Sequence, residues 1–243
     1  RVSDPDRSIF TCKDIDQSAF KNQKGQDMYS KTPVTKGKKG WEFSGPTNPL
    51  IDAFLTVLTN NLDFSIKLSS TFRTKKRQGE LVTGKTFDDT VNWSGIKVYG
   101  KSRLKKFIKF YKDCNGDRKC VERKQIAYWE SQPAKGHGLG IACDISTRTT
   151  LTAGQVKQIL CLTDKMGINT IMEVTPPHMH VQIVNAKSIT GENPTNPMPQ
   201  AEIQALVTKW ESMLQLKKES PYTPTPPPGY FDNTVATASG DDE

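Results

Sequence analysis

Only three histidines occur in the 243 residues, and all three fall in two short stretches. One reads Gly136-His137-Gly138-Leu139-Gly140-Ile141-Ala142-Cys143-Asp144, the other Pro176-Pro177-His178-Met179-His180-Val181-Gln182-Ile183. His178 and His180 stand two apart in a run that reads as a short strand, where residues i and i+2 project from one face. Both imidazoles then point into one space, while Met179 and Val181 face the other way. The glycines around His137 let the backbone approach closely, and Asp144 offers a hard, charged oxygen. Two imidazoles and one carboxylate form a three-ligand set suited to a catalytic zinc with an open fourth position. A His-x-His pair alone would be better explained as a polar strand face. Here the whole histidine complement is gathered into the two stretches, which favours a metal site.

His137, Gly140, Ala142 and Asp144 spell His-x-x-Gly-x-Ala-x-Asp, which resembles the signature of the LAS zinc peptidases. These are the D-alanyl-D-alanine carboxypeptidases, the related phage endolysins and the penicillin-insensitive murein endopeptidases. The family also carries an upstream Ser-x-x-Arg followed by a Gln, matched by Ser70, Arg73 and Gln78. The resemblance covers roughly residues 50–185 and rests on three motifs in the right order. It implies His137, Asp144 and His180 as zinc ligands. It further implies His178 as a base or a stabiliser of the tetrahedral intermediate, and Arg73 as a binder of substrate carboxylate or of the developing oxyanion. Ser70 would then position its loop, and Gln78 would bond substrate or hold Arg73. His178-Met179-His180 is more similar to the murein endopeptidase branch. Pro177 stands where the carboxypeptidase branch has a Glu, and Lys135 where a Ser is common. Glu173 is a weaker candidate for proton transfer, with a strand-surface carboxylate as its alternative.

These residues need elements to position them. Thr47-Asn48-Pro49 reads as a helix start, followed by an apolar face through Leu50, Phe54, Leu55 and Leu58. Alternation over residues 64–69 predicts a strand, with Arg73 at its end and Gln78 on the helix after it. Residues from about 85 to 132 read as a helical insertion beside the cleft. Within it, Leu104, Phe107, Ile108 and Tyr111 form an apolar stripe among the lysines of residues 101–112, and a second helical run follows from about Asp117 to Ser131. This hairpin could be a solvated lysine face over a buried stripe, or a flap that binds a wall polymer or substrate. Further on, a helix is expected from Thr152 to Lys165 with Gly167 as its stop, then a strand from Asn169 to Val174 and a turn at Pro176-Pro177. The His178 strand returns antiparallel, and an amphipathic helix closes the domain from Ala201 to Leu216.

The fold expected is α+β, a small antiparallel sheet carrying the zinc site and flanked by helices, of the LAS or hedgehog-type peptidase class. Three regions follow: a polar N-terminal arm over 1–45, a peptidase domain over 46–218, and a Pro/Thr-rich tail over 219–243 expected to be extended. Trp41 and Phe43 are where the arm could dock. The chain starts at Arg1 rather than Met, so an upstream segment is expected to have been removed or left out.

A hydrophobic content of 35% and a mean hydropathy of −0.59 fit one core with polar ends. No run reaches the roughly 18 apolar residues of a membrane span. The net charge is +8, which suits a polyanionic partner without selecting one. Five cysteines, an odd number, argue against a fully paired framework. Cys114 and Cys120 could bridge in an oxidising compartment, with free thiols the favoured expectation. Cys143 and Cys161 read as core residues.

The leading functional expectation is a zinc-dependent peptidase acting on bacterial peptidoglycan. It would face the cell wall from outside the cytoplasm, as a secreted or periplasmic enzyme or one delivered by a phage. The terminal arms could join it to a virion or another large assembly. One alternative is a zinc-containing binding or structural module without catalysis. Another is a basic nucleic-acid-binding protein, disfavoured because no recognition motif accompanies the lysines.

Overall fold

The computed structural model describes residues 7–9 (backbone only), 28–31, 40–148, 150–174, 177–189 and 193–214. The 219–243 tail, Pro176 of the turn and most of the N-terminal arm lie outside them. In chain order the elements are β1 (Arg7–Ile9), β2 (Trp41–Glu42), α1 (Pro49–Asn60), β3 (Ile66–Ser70), α2 (Lys75–Asp88), α3 (Ser94–Lys97), α4 (Lys101–Asp113) and α5 (Arg118–Glu130). There follow a 3-10 turn at Gly136–Leu139, β4 (Ala142–Ser146), α6 (Ala153–Lys165), β5 (Asn169–Val174), β6 (Pro177–Gln182) and α7 (Gln200–Met213). Among the described residues no helix is long and apolar enough to cross a membrane.

The class is α+β, around a six-stranded sheet of order β1-β5-β6-β4-β3-β2. The sheet is mixed rather than purely antiparallel. β2 pairs in parallel with β3, and the other pairs are antiparallel. The cause lies in the connection: between β2 and β3 the chain runs through α1, and a crossover helix returns the next strand in the same direction. Both β1 and β2 come from the first 45 residues, and Trp41 and Phe43 pack half-buried against the main core.

One face of the sheet is buried under α1, α6 and α7. Phe54 of α1 meets Trp210 of α7 edge-to-face at 6.1 Å, and Met172, Met179, Val181, Cys143 and Ile145 of the strands are buried against these helices. The sequence signals for the helices act as local physics requires. The Asn48 side chain accepts from Ile51 N to cap α1, with Pro49 in the first turn, where its missing N–H costs nothing. Thr152 and Gln155 form a reciprocal capping box on α6, and Gly167 follows that helix at φ 69°.

A second, smaller core joins α2 to α3, α4 and α5. Val82, Ile96 and Phe107 are its buried centre, wrapped by Trp93, Tyr99, Phe110, Tyr128 and Trp129. Gly79 permits the approach of α2 to α5, since a Cβ there would lie 2.7 Å from the Ile126 Cα. The lysines at 101, 105, 106, 109 and 112 are exposed, so the outer side of α4 is a solvated face. Cys114 and Cys120 are joined by a disulfide across the turn between α4 and α5, contrary to the free thiols expected. The Asp117 cap of α5 accepts from Cys120 N and turns that residue back toward Cys114. Cys161 is disulfide-bonded too, rather than a plain core thiol. Cys143 alone among the described cysteines is free, and it is buried as expected.

Candidate metal centre

The exposed face of the sheet forms the floor of a cleft of about 580 Å³, and α2, α4 and α5 contribute its wall. Antiparallel register gathers the floor residues: Asp144 of β4 stands opposite His180 of β6, and His178 stands opposite Glu173 of β5. Paired residues share a face, so one sheet surface holds both histidines of His-x-His and both carboxylates. His137 arrives separately, on the 3-10 turn before β4. Its flanking glycines adopt left-handed backbone, Gly136 at φ 46° and Gly140 at φ 68°. A Cβ at Gly140 would lie 2.2 Å from the Pro194 carbonyl oxygen. Asn48 secures the turn by donating to the carbonyls of Gly140 and Pro194.

Three donor atoms converge. His137 Nε2 lies 3.0 Å from Asp144 Oδ1 and 3.1 Å from His180 Nδ1, and His180 Nδ1 lies 2.9 Å from Asp144 Oδ1. A tetrahedral ion with bonds of about 2.0–2.1 Å sets its ligand atoms roughly 3.3 Å apart. The triangle is therefore close to the size such an ion requires, and this group could hold a metal. The surroundings fit as well. His137 Nδ1 donates to the Thr71 carbonyl, which can only accept, and the other ring nitrogen, Nε2, faces the triangle. Such a partner fixes tautomer and ring orientation of a metal-binding imidazole. Asp144 divides its oxygens, Oδ1 toward the imidazoles and Oδ2 toward Arg73 Nη2 at 3.3 Å.

Burial alone would raise the Asp144 pKa. The neighbouring imidazoles of His137, His178 and His180 outweigh it and hold the carboxyl well below the usual range. Asp144 is thus an anion, as a ligand must be. Glu173 is also held low: burial opposes ionisation, while His178 and Lys85 favour it.

Arg73 is at the end of β3 with three engagements. Nη1 donates to Gln78 Oε1 at 2.9 Å, and Nη2 donates to Ser70 Oγ at 2.9 Å as well as to Asp144. Ser70, Arg73 and Gln78 line the same cleft as the triangle, so all the site residues read from the sequence meet there. His178 Nε2 lies 3.4 Å from Glu173 Oε2 and 3.7 Å from Asp144 Oδ1. Glu173 is accordingly no surface carboxylate: it lines the cleft, 3.8 Å from Lys85 Nζ.

The sequence places the 85–132 insertion beside the cleft but does not single out the residues of the wall. Lys85, Tyr99, Arg103 and Trp129 line the cleft. Gln78 Nε2 donates to the Tyr99 hydroxyl at 3.3 Å, which ties the wall to the Arg73 cluster. No spacing signal marks these four, because packing brings them to the cleft from three helices and the α3–α4 connection. No protein-family model, curated protein or solved structure matches this chain.

Proposed function

We propose that the protein is a zinc-dependent peptidase that hydrolyses amide bonds in the peptide stems or cross-bridges of bacterial peptidoglycan. The observation that carries the proposal is the triangle of His137 Nε2, Asp144 Oδ1 and His180 Nδ1, whose size and anion-plus-imidazole chemistry suit zinc. The resemblance of the three motifs to the LAS peptidases supports the choice of reaction. Zinc, when bound, supplies Lewis-acid polarisation of a carbonyl and a water that ionises near neutral pH.

The chain's own residues would do the rest. Thr71 holds His137 in the ligating tautomer, and Arg73 orients Asp144 through Oδ2. His178, with Glu173 beside it, would carry a proton to and from the reacting amide. Gln78 and Ser70 accept from Arg73 and fix the plane of its guanidinium, whose remaining N–H groups can meet a substrate oxygen. Lys75, Lys85, Arg103 and Lys135 add positive charge along the cleft, suited to an anionic wall peptide. The disulfides favour an oxidising, extracytoplasmic setting, at the cell wall or carried by a phage.

A second reading is a zinc-bearing binding module without turnover. Pro177 favours it, since that position carries a Glu in the carboxypeptidases that the motifs resemble. Mass spectrometry of purified peptidoglycan incubated with the protein separates the two. Fragments shortened at a peptide bond, abolished by a chelator and by His180→Ala, are the expected result. Intact peptidoglycan beside a protein that retains stoichiometric zinc would leave only the binding module.

A further inference from the structure

The cleft wall carries a cation whose hydrogen-bonding capacity the protein leaves unused. Arg103 lines the cleft from the first turn of α4, with its guanidinium over the Trp129 ring at 5.2 Å from the centroid. A cation–π contact of this kind uses none of the guanidinium N–H groups as hydrogen-bond donors to a carboxylate, so they stay available. Among the described residues Arg103 has no carboxylate partner. Its neighbours in the cleft differ: Arg73 serves Asp144, Ser70 and Gln78, and Lys85 pairs with Glu173 and lies over Tyr99.

The helix position points the same way. The first turn of α4 contains Lys101 and Arg103 but no acidic residue, and its Gly100 cap provides no side-chain bond. Cations at the positive end of a helix are electrostatically disfavoured, and an anion there is favoured. A bound carboxylate would pair the guanidinium and offset the charge of this helix end. The platform under Arg103 is held by its neighbours: Trp129 meets Tyr99 at 5.9 Å and Phe107 at 6.2 Å. Through Tyr99 and Gln78 it is linked to Arg73 and so to the metal ligands.

We infer that Arg103, stacked on Trp129, is a specificity-determining residue that receives a second carboxylate of an acidic peptide, away from the amide being cut. The inference rests on the peptidase reading and gives its substrate class: peptides with an anionic side group, rather than neutral ones. The wall and the metal site then grip one ligand at two points.

Surface plasmon resonance on the immobilised, zinc-loaded full chain tests this, with peptide flowing continuously so that turnover does not deplete it. The probes are a synthetic stem peptide containing a γ-linked glutamate with a free α-carboxylate, and the same peptide with that carboxylate amidated. Wild-type protein is expected to bind the acid about tenfold or more tightly than the amide, the range of a charge-assisted hydrogen bond. Arg103→Gln should bind both like the amide, and Arg103→Lys, which keeps charge but loses the fork, should fall between. Zinc content and circular dichroism of both variants should match wild type. Equal binding of the two peptides by wild type, or full discrimination retained in Arg103→Gln, would overturn the subsite while leaving the peptidase reading intact. Discrimination that depends on Arg103 without any cleavage would keep the subsite and overturn the peptidase. Binding of neither peptide would overturn both.

Discussion

The floor and the wall of the cleft are built by opposite means. The floor is polar and satisfied: His137, Asp144, Arg73 and Ser70 each have partners at 2.9–3.3 Å. The wall is an aromatic cluster that leaves buried polar atoms orphaned, both amide atoms of Gln125 and the indole nitrogen of Trp129. Strand register, with its strict period of two, sets which of the floor's strand residues share a face, and His137 and Arg73 join them from turns beside the sheet. The wall's geometry comes from side-chain packing between helices, which no short motif encodes.

If floor and wall are separable in this way, their variants should have distinct signatures. The largest effect expected is in metal content. His180→Ala should reduce zinc affinity by more than about 100-fold, since loss of a direct ligand exceeds the 10–100-fold typical of a supporting partner. His178→Ala should retain stoichiometric zinc while cutting turnover. Metal analysis after dialysis against a weak chelator checks both, and zinc loss in His178→Ala would reassign the ligands.

Phe107→Ala should cost about 3–5 kcal/mol of stability by opening a cavity in the wall's core. The surviving folded protein should still bind zinc. Chemical denaturation and metal analysis read the two quantities separately, and coupled loss would show that floor and wall fold as one unit. Replacing Cys114 and Cys120 together by Ser removes a short cross-link on the wall, with a cost of roughly 2 kcal/mol for so small a loop. A lowered thermal midpoint with unchanged zinc stoichiometry is expected. The smallest effect is a gain. Gln125→Met replaces an orphaned buried amide by an apolar group of similar shape, and should stabilise by about 1 kcal/mol in urea denaturation.

The elements were legible where local physics acts alone. Asn48-Pro49, Thr152 with Gln155, and Gly167 mark helix ends through their own backbone chemistry, and the strand bearing His178 and His180 shows its face by alternation. The Cys114–Cys120 bridge was not legible as formed, since the spacing permits pairing but the α4–α5 turn decides it. Which of its two readings Glu173 takes is not legible from counting along the chain to His180, because the β5–β6 register is what places it opposite His178.

The sequence by itself determined the residue types of the candidate metal site and the face on which each strand residue lies. Both depend on side-chain chemistry and on the two-residue repeat of an extended chain. Only the tertiary structure decided that His137 Nε2 meets Asp144 and His180 within about a bond's reach of one point, and that Arg103 and Trp129 line the same cleft. Those contacts join positions distant in the chain. Their distances follow from how helices and strands pack, which depends on many buried side chains together rather than on any one stretch.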